Sequence, residues 1–255
     1  MTVIRQLRLR RKRKETTMGK SYKYWLAIVT MAATSISAVA VPVPVTVTRV
    51  SGYYLGNGGE FTILGSPWAN PAHYSSKTLV TVGTKTGFQS FCLELDEFIG
   101  GTRWAELSTK AINGGTGGPE PDPLSIGAAW LYKRFAEGNL AGYDYTPGPG
   151  REASAAALQA TIWWLEDEIG GPPPVNPFTI QLVTKFGSAA AAKADYDPST
   201  AGFNVRVVNM WGDTGGNVDY TKPKQDMLVY LPDGGMTLVL LGCGLLGLAA
   251  LRRKE

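Results

Sequence analysis

Histidine and cysteine are scarce in this 255-residue chain, and basic residues are scarce between its two ends. The one histidine, His73, cannot build a multi-histidine metal site, so we expect no metal and no cofactor. Residues 41–230 hold 13 Lys and Arg against 18 Asp and Glu, although the whole chain has a net charge of +4. Without a basic surface this body lacks the electrostatic attraction that nucleic-acid binding requires.

The N-terminal 40 residues have the pattern of a secretory signal peptide. A basic stretch, RLRRKRK, precedes the apolar run LAIVTMAATSISAVA, which ends at the small residues Ala38 and Ala40. This order predicts cleavage after Ala40, so that the mature protein begins at Val41. Met18 is an alternative start, and the pattern leaves the choice open.

The C-terminal residues 231–255 have three parts: LPDGG, an apolar stretch over residues 236–251, and a basic end. A 16-residue helix spans roughly 24 Å, a little less than the hydrocarbon core of about 30 Å. We therefore predict a short transmembrane helix. By the positive-inside bias, its basic end would stay cytoplasmic and the body would lie outside the inner membrane.

This C-terminal pattern resembles the PEP-CTERM family of sorting signals, and most closely its variant with a V-P-D-S-G core. The chain departs from that core at Leu231, where Val is usual, and at Gly234, where Ser is usual. The resemblance implies that an exosortase cuts near the motif and moves the body to the cell surface or extracellular matrix of a Gram-negative bacterium. The implied signal comprises Leu231, Pro232, Asp233, Gly234, Gly235, Arg252, Arg253 and Lys254.

Residues 41–230 are predicted to form one α+β domain, an antiparallel β-sandwich or barrel with an inserted layer of two or three helices. Short β-rich segments separated by Gly and Pro fill residues 41–98, and FNVRVVNMW and DMLVYL are predicted to be closing strands. Asp122 and Pro123 are predicted to start a helix that Gly138 closes. A second helix is predicted in EASAAALQATIWWLEDEIGG, and a third over residues 178–194.

Two acidic clusters offer the carboxylate pairs of a glycoside hydrolase. The stronger interpretation is structural, because strand alternation puts Glu94 and Asp96 on one solvated face and the second cluster ends a helix. A surface hydrolase therefore stays only as an alternative. The clusters are Glu94, Asp96, Glu97 and Glu166, Asp167, Glu168.

The exported body has a single cysteine. Cys243 lies in the C-terminal tail, so after processing only Cys92 remains and no intramolecular disulfide can form. Cys92 is either a buried small hydrophobic residue or a reactive thiol. In the segment FCLEL, alternation places Cys92 on the opposite face from its hydrophobic neighbours, beside Glu94 and Asp96.

Gln159 lies among apolar residues on the second predicted helix. It shares one stripe with Leu158, Ile162 and Trp163, at helical spacing. An unpaired buried carboxamide would cost about 1–3 kcal/mol, so Gln159 must have a hydrogen-bond partner.

The body also resembles the Cys–Gln thioester domains of bacterial surface adhesins, over residues 91–163. Gln159 and Trp163 keep the register of the family pattern T-Q-x-A-x-W, whereas Leu158 and Thr161 depart from it. The resemblance implies a thioester between Cys92 and Gln159 that is attacked by an amine on a target.

Our leading hypothesis is an exported structural or adhesive surface protein without enzymatic turnover and with no catalytic residues. The alternatives are a covalent adhesin that uses Cys92 and Gln159, and the surface hydrolase described above. The expected partners are an exosortase, the secretion machinery and, transiently, the inner membrane. An extracellular polysaccharide or an amine-bearing surface ligand is the expected target, and nucleic acid is not.

Overall fold

A seven-stranded antiparallel sheet and three α-helices make up the described part of the chain, which covers residues 41–97, 101–112 and 121–231 of a computed structural model. The strand order is β5-β6-β4-β1-β7-β8-β9, and β2 and β3 form a separate two-stranded ribbon. The predicted α+β class and antiparallel pairing are confirmed. The strands are β1 Val43–Thr48, β2 Tyr54–Leu55, β3 Gly58–Gly59, β4 Phe61–Leu64, β5 Leu79–Val82, β6 Lys85–Ser90, β7 Gly101–Ser108, β8 Val205–Thr214 and β9 Asn217–Tyr230.

Helix α1, Ile126–Ala136, begins later than the sequence predicted. Ser125 is its N-cap, and the Ser125 hydroxyl accepts a hydrogen bond from the Ala128 N–H at 3.2 Å. Serine is a strong N-cap residue, so the helix begins here rather than at Asp122 and Pro123. The predicted end is confirmed, since Gly138 adopts a positive φ of 70° directly after the helix.

The other two helices are α2, Pro149–Leu165, and α3, Pro177–Phe186. Helix α2 covers most of the predicted second helix, but it begins three residues earlier and ends at Leu165 rather than at Gly170 and Gly171, because Asp167 adopts a positive φ of 60° just after it. Helix α3 begins at the Asn176 cap, whose side chain accepts from the N–H groups of Phe178 and Thr179. It is shorter than the predicted third helix because Gly187 adopts the left-handed conformation and ends it, and a separate 3-10 turn follows at Ala190–Lys193.

Strand β7 is the main element that the sequence did not predict. It lies between β1 and β8 and pairs with both, for example Val43 with Ala105 and Ala105 with Met210. Only Ala105 is fully buried in this strand, and its other residues are partly or fully exposed. The strand therefore lacks the regular alternation of apolar and polar residues that predicts a strand from sequence.

The sheet curls until β6 approaches β9. The strand predicted to run through residues 88–98 ends at Ser90, but Cys92 then forms an antiparallel bridge with Met227. On either side of this bridge, the Leu93 N–H donates to the Asp226 carbonyl at 2.9 Å and the Leu228 N–H donates to the Phe91 carbonyl at 3.3 Å. A single sheet that meets itself in this way is closer to the predicted barrel than to two stacked sheets.

The helices cover this closing region. Helix α1 contacts β8 and β9, and α2 contacts the β2–β3 ribbon. Phe135 of α1 packs against Phe91 and Tyr143, with ring centroids 4.9 and 5.0 Å apart. The core therefore lies between the curled sheet and the helices, with Cys92 at the point where the sheet closes.

Within the described residues, no helix is both long enough and apolar enough to cross a membrane. The predicted transmembrane segment, residues 236–251, lies outside them. The predicted signal peptide, with Ala38 and Ala40, lies outside them as well.

Candidate functional site

Cys92 is a free cysteine whose side chain is only 2% exposed. Burial raises the pKa of its thiol well above the ordinary value. Arg49 acts in the opposite direction, whereas the charges of Glu94 and Glu97 raise this pKa further. The thiol is therefore protonated at neutral pH, unlike the low-pKa thiolate of a reactive cysteine.

Gln159 has the hydrogen-bond partner that was predicted from its position among apolar residues. Its side chain is fully buried, and Oε1 accepts from the Cys92 N–H at 3.2 Å. Its Nε2 donates to the Cys92 carbonyl at 2.8 Å. One carboxamide thus satisfies both backbone groups of Cys92, and the two residues singled out by the sequence lie together.

The β2–β3 ribbon covers this contact. A Cβ added to Gly58 would lie 3.1 Å from Cγ of Gln159 and 3.4 Å from Cη2 of Trp163, so only glycine fits here without displacing a neighbour. The ribbon also closes over Ala155, whose Cβ would lie 3.2 Å from a Cβ at Gly59. Gln159 is consequently shielded from solvent by backbone as well as by side chains.

Arg49 holds the ribbon in place, a role that no sequence pattern indicated. Its guanidinium donates to the carbonyls of Gly56 and Gly58 at 2.8 and 2.7 Å. The same group lies 3.6 Å from the centroid of the Tyr54 ring, within the range of a cation–π interaction. An isolated arginine after a strand is too common a pattern to identify in advance.

A second arginine missed by the sequence reasoning, Arg151, anchors the start of α2. Its guanidinium is 1% exposed and bonds both oxygens of Glu60, from Nε at 2.6 Å and from a terminal nitrogen at 2.7 Å. The Tyr143 hydroxyl donates to the same carboxylate at 2.6 Å. Since 91 positions separate Glu60 from Arg151, local patterns could not pair them.

A cavity of about 330 Å³ adjoins Cys92. Its wall residues include aromatic, amide and charged side chains. Two atoms of these residues, Nε of Arg49 and Nε1 of Trp163, have almost no solvent-accessible surface and no hydrogen-bond partner in the described part of the chain. The size is at the lower end of the range of about 300–1,000 Å³ for small-molecule pockets. The wall residues are Arg49, Asn57, Phe61, Cys92, Leu95, Asp96, Glu97, Trp163 and Gln225.

The first acidic cluster does not have the solvated arrangement that the sequence predicted. Glu94 is only 5% exposed because the chain leaves the strand before it, so alternation no longer applies. Asp96 is exposed, and both Asp96 and Glu97 line the cavity.

In the second cluster, two of the three carboxylates are buried in structural contacts. The Ser125 hydroxyl donates to Glu166 at 2.5 Å, and the Leu95 N–H donates to Glu168 at 3.0 Å. Burial raises the pKa of Glu166 to about 8, although the bonds from Ser125 lower it. Asp167 is exposed and forms an ion pair with Lys193. The wall of the cavity contains none of these three residues.

No group of three or more His, Cys, Asp or Glu among the described residues is arranged to hold a metal ion. His73 is half-buried in a 3-10 turn, Pro71–His73.

Of the predicted sorting residues, only Leu231 lies within the described part of the chain. Its N–H donates to the Asn204 carbonyl at 2.7 Å.

Comparison with known proteins identifies the C-terminal segment. Residues 232–254 match the VPDSG-CTERM motif, and the chain therefore carries a PEP-CTERM-like, exosortase-type C-terminal sorting signal. No curated protein and no solved structure matches the chain. The match confirms the predicted signal, whereas the resemblance of the body to thioester adhesins has no support from these comparisons.

Proposed function

We propose that this chain is a structural or adhesive protein of the cell surface or extracellular matrix, delivered there by C-terminal processing and acting without catalytic turnover. The observation that carries this proposal is the VPDSG-CTERM motif, which implies processing by an exosortase-like enzyme. The predicted membrane segment at residues 236–251 would hold the chain at the inner membrane until that step.

The fold supports this proposal because its last strand ends where the motif begins. Strand β9 ends at Tyr230, and the motif match starts at residue 232. The last described backbone bond is the one from Leu231 to Asn204. A cut after Leu231 would therefore remove none of the described elements.

Cellular fractionation of sorting variants tests the proposal. Asp233→Ala, or deletion of residues 252–254, should leave the protein in the inner membrane with its tail attached. Asp195→Ala, which replaces an exposed aspartate of the body, is the matched control and should still be released. Release of the two sorting variants with their tails removed would contradict the proposal.

N-terminal sequencing tests the export step separately. The released control protein should begin at Val41, and a start at Met1 or Met18 would contradict cleavage of the predicted signal peptide.

The second candidate function is a covalent adhesin, and the double hydrogen bond between Gln159 and Cys92 favours it. In this reaction the Cys92 sulfur would attack the side-chain carbonyl carbon of Gln159. A C–S bond forms, the C–N bond breaks, and the amide nitrogen leaves as ammonia with the thiol proton. An amine on a target would then replace the sulfur, forming an amide and restoring the thiol.

The mass of the folded protein distinguishes this candidate from a buried free cysteine. A thioester lowers the mass by one ammonia and protects Cys92 from alkylation until a small amine is added. Gln159→Glu and Cys92→Ala should each show the full sequence mass. If the unsubstituted folded protein already has the full mass, no thioester is present and Gln159 serves only to bond the Cys92 backbone.

A further inference from the structure

We propose that a row of aromatic and proline side chains on the outer face of the sheet binds a polysaccharide of amino sugars. The sugar rings stack on the row, and their ammonium groups meet carboxylates at its borders. This inference rests on the adhesive role proposed above, for which it names a partner. Binding depends only on the folded body, so its test is independent of C-terminal processing and of thioester formation.

The row crosses four neighbouring strands. Pro44 of β1 is paired with Trp104 of β7, and Trp211 of β8 is paired with both Trp104 and Pro223 of β9. Because neighbouring strands lie about 4.8 Å apart, the row is roughly 14 Å long. A linear polymer that lies across the strands would follow it.

Strand alternation places the row on the outer face of the sheet. Ala105 and Met210 are fully buried. Trp104 and Trp211 are adjacent to them along the strands, so both indoles lie on the opposite face, where they are partly exposed. Tyr220 is 52% exposed, and its ring packs edge-to-face against Trp211 with the ring centroids 5.0 Å apart. The rings therefore offer solvent-exposed apolar area to the C–H groups of a sugar.

The two indoles are fixed in orientation by carboxylates. Nε1 of Trp104 donates to Asp213 at 2.8 Å, and Nε1 of Trp211 donates to Glu106 at 3.0 Å. Since these bonds use the indole N–H groups within the protein, the exposed parts of both side chains are ring surface. Rings that are already held in place lose little conformational entropy when a ligand stacks on them.

The charges beside the row favour a cationic ligand. Glu106 and Asp213 border the indoles, and Asp219 precedes Tyr220 in the chain. Lys222 offsets one of these three charges through its ion pair with Asp219 at 2.8 Å. An acidic polysaccharide or a nucleic acid would be repelled here, whereas ammonium groups would be attracted. An amino-sugar polymer uses both the rings and the charges.

The shape and position of the row disfavour other occupants. A standard protein interface covers about 800 Å² on each partner, whereas this row is one residue wide between Glu106 and Asp213. Strand β9 continues from Pro223 to its end at Tyr230, a distance of roughly 20 Å at about 3.3 Å per residue. The row therefore lies away from the end of the fold where the sorting segment begins.

Calorimetry and saturation-transfer NMR on the full chain, in a detergent with neither a sugar nor a charged headgroup, test this site. At about pH 6 the carboxylates are ionised and the glucosamine amines are charged. The probes are a glucosamine trisaccharide, its N-acetylated form, which keeps the rings without the charge, spermidine, which has charge without rings, and decaproline. We expect the glucosamine trisaccharide to bind at least about fivefold more tightly than each of the other three. High salt should reduce this preference over the N-acetylated form.

Two substitutions at exposed positions separate the rings from the charge. Tyr220→Ala should weaken binding of both trisaccharides at least about fivefold, whereas the control Leu55→Ala, an exposed position outside the row, should not. Asp213→Asn keeps an oxygen that can accept from Trp104 and should weaken only the glucosamine trisaccharide; its control is Asp195→Asn. The proposal is overturned if the glucosamine trisaccharide does not bind, if another probe binds as tightly, or if its binding survives both substitutions.

Discussion

Several single side chains stabilise this fold by bonding buried backbone groups or buried charges. Gln159 is the clearest example, since its amide bonds both the N–H and the carbonyl of Cys92. The Cys92 side chain, in contrast, contributes a small buried group to the hydrophobic core. We therefore expect the Gln159 side chain to contribute more to the stability of the fold than the Cys92 side chain.

This difference can be measured by comparing two substitutions. Gln159→Leu should lower the free energy of unfolding by about 2–6 kcal/mol, because it leaves two buried backbone groups unpaired at about 1–3 kcal/mol each. Cys92→Ala should cost only about 1 kcal/mol, since both backbone bonds remain. Urea unfolding of the two variants checks this prediction, and equal losses would contradict it.

Glu166 predicts a pH dependence of stability. Its pKa is raised to about 8 in the folded state, against 4.5 as the ordinary value, so the folded state keeps a proton that the unfolded state loses between these pH values. Stability from this group is complete below about pH 4.5 and is lost as the pH rises to about 8. The total loss is on the order of a few kcal/mol.

Urea unfolding of Glu166→Gln from pH 4 to 9 measures this contribution, since this range spans the two pKa values. The variant should show a flatter dependence on pH and should be more stable than the unsubstituted protein at pH 9. Glu152→Gln, on the same helix but partly exposed, is the control and should leave the dependence unchanged. Parallel curves for Glu166→Gln and the unsubstituted protein would rule out this role.

At the scale of elements, the contacts of α2 with the chain segments around it decide the geometry of the site. The Glu60–Arg151 ion pair fixes the start of α2, and the β2–β3 ribbon covers its middle. Both contacts join segments far apart in the sequence. Losing either one would change the position of Gln159 relative to Cys92.

Breaking the ion pair should be costly because one buried charge would remain alone. Arg151→Met should lower the free energy of unfolding by about 3–5 kcal/mol. The partly exposed pair Lys133–Glu137 supplies the matched control, and Lys133→Met should cost at most about 1 kcal/mol. Thermal unfolding of both variants checks the prediction, and a similar loss in each would contradict it.

The ribbon can be displaced by filling the space at Gly58. Gly58→Val should push the ribbon away from Gln159 and Trp163 and so accelerate alkylation of Cys92 by iodoacetamide several-fold. Leu55→Val, at an exposed position on the same ribbon, should leave the rate unchanged. If both variants react at the rate of the unsubstituted protein, the ribbon does not shield the cysteine.

At the scale of the whole molecule, the folded body and its sorting signal meet without a linker. Tyr230 belongs to the fold, since its N–H donates to the Tyr74 hydroxyl at 2.8 Å and its own hydroxyl donates to Glu137 at 2.9 Å. The boundary between body and signal therefore falls within a residue or two of Leu231.

Truncation locates this boundary. A chain ending at Leu231 should melt within about 1 °C of the full chain, because no described contact is removed. A chain ending at Val229 loses the contacts of Tyr230 and should melt several degrees lower, at about 2–4 °C per kcal/mol. Equal melting temperatures for the two truncated chains would place the boundary earlier.

Local patterns in the sequence were sufficient for the sorting signal, the α+β class and the course of α2. Each of these depends on residues close together in the chain: the LPDGG motif and its apolar stretch, β-branched clusters, and an alanine-rich helical stripe. The burial of Gln159 followed from the same spacing, because a helical stripe can be read from positions four residues apart.

Tertiary structure decided the rest because the relevant partners lie far apart in the chain. Gln159 and Cys92 are 67 positions apart, and Glu60 and Arg151 are 91 positions apart. Strand β7 forms because β1 and β8 pair with its two edges, although its own apolar pattern is weak. The burial of Glu94, the cavity wall and the curl that brings Cys92 to Met227 arise from packing between distant segments, for which spacing along the chain contains no signal.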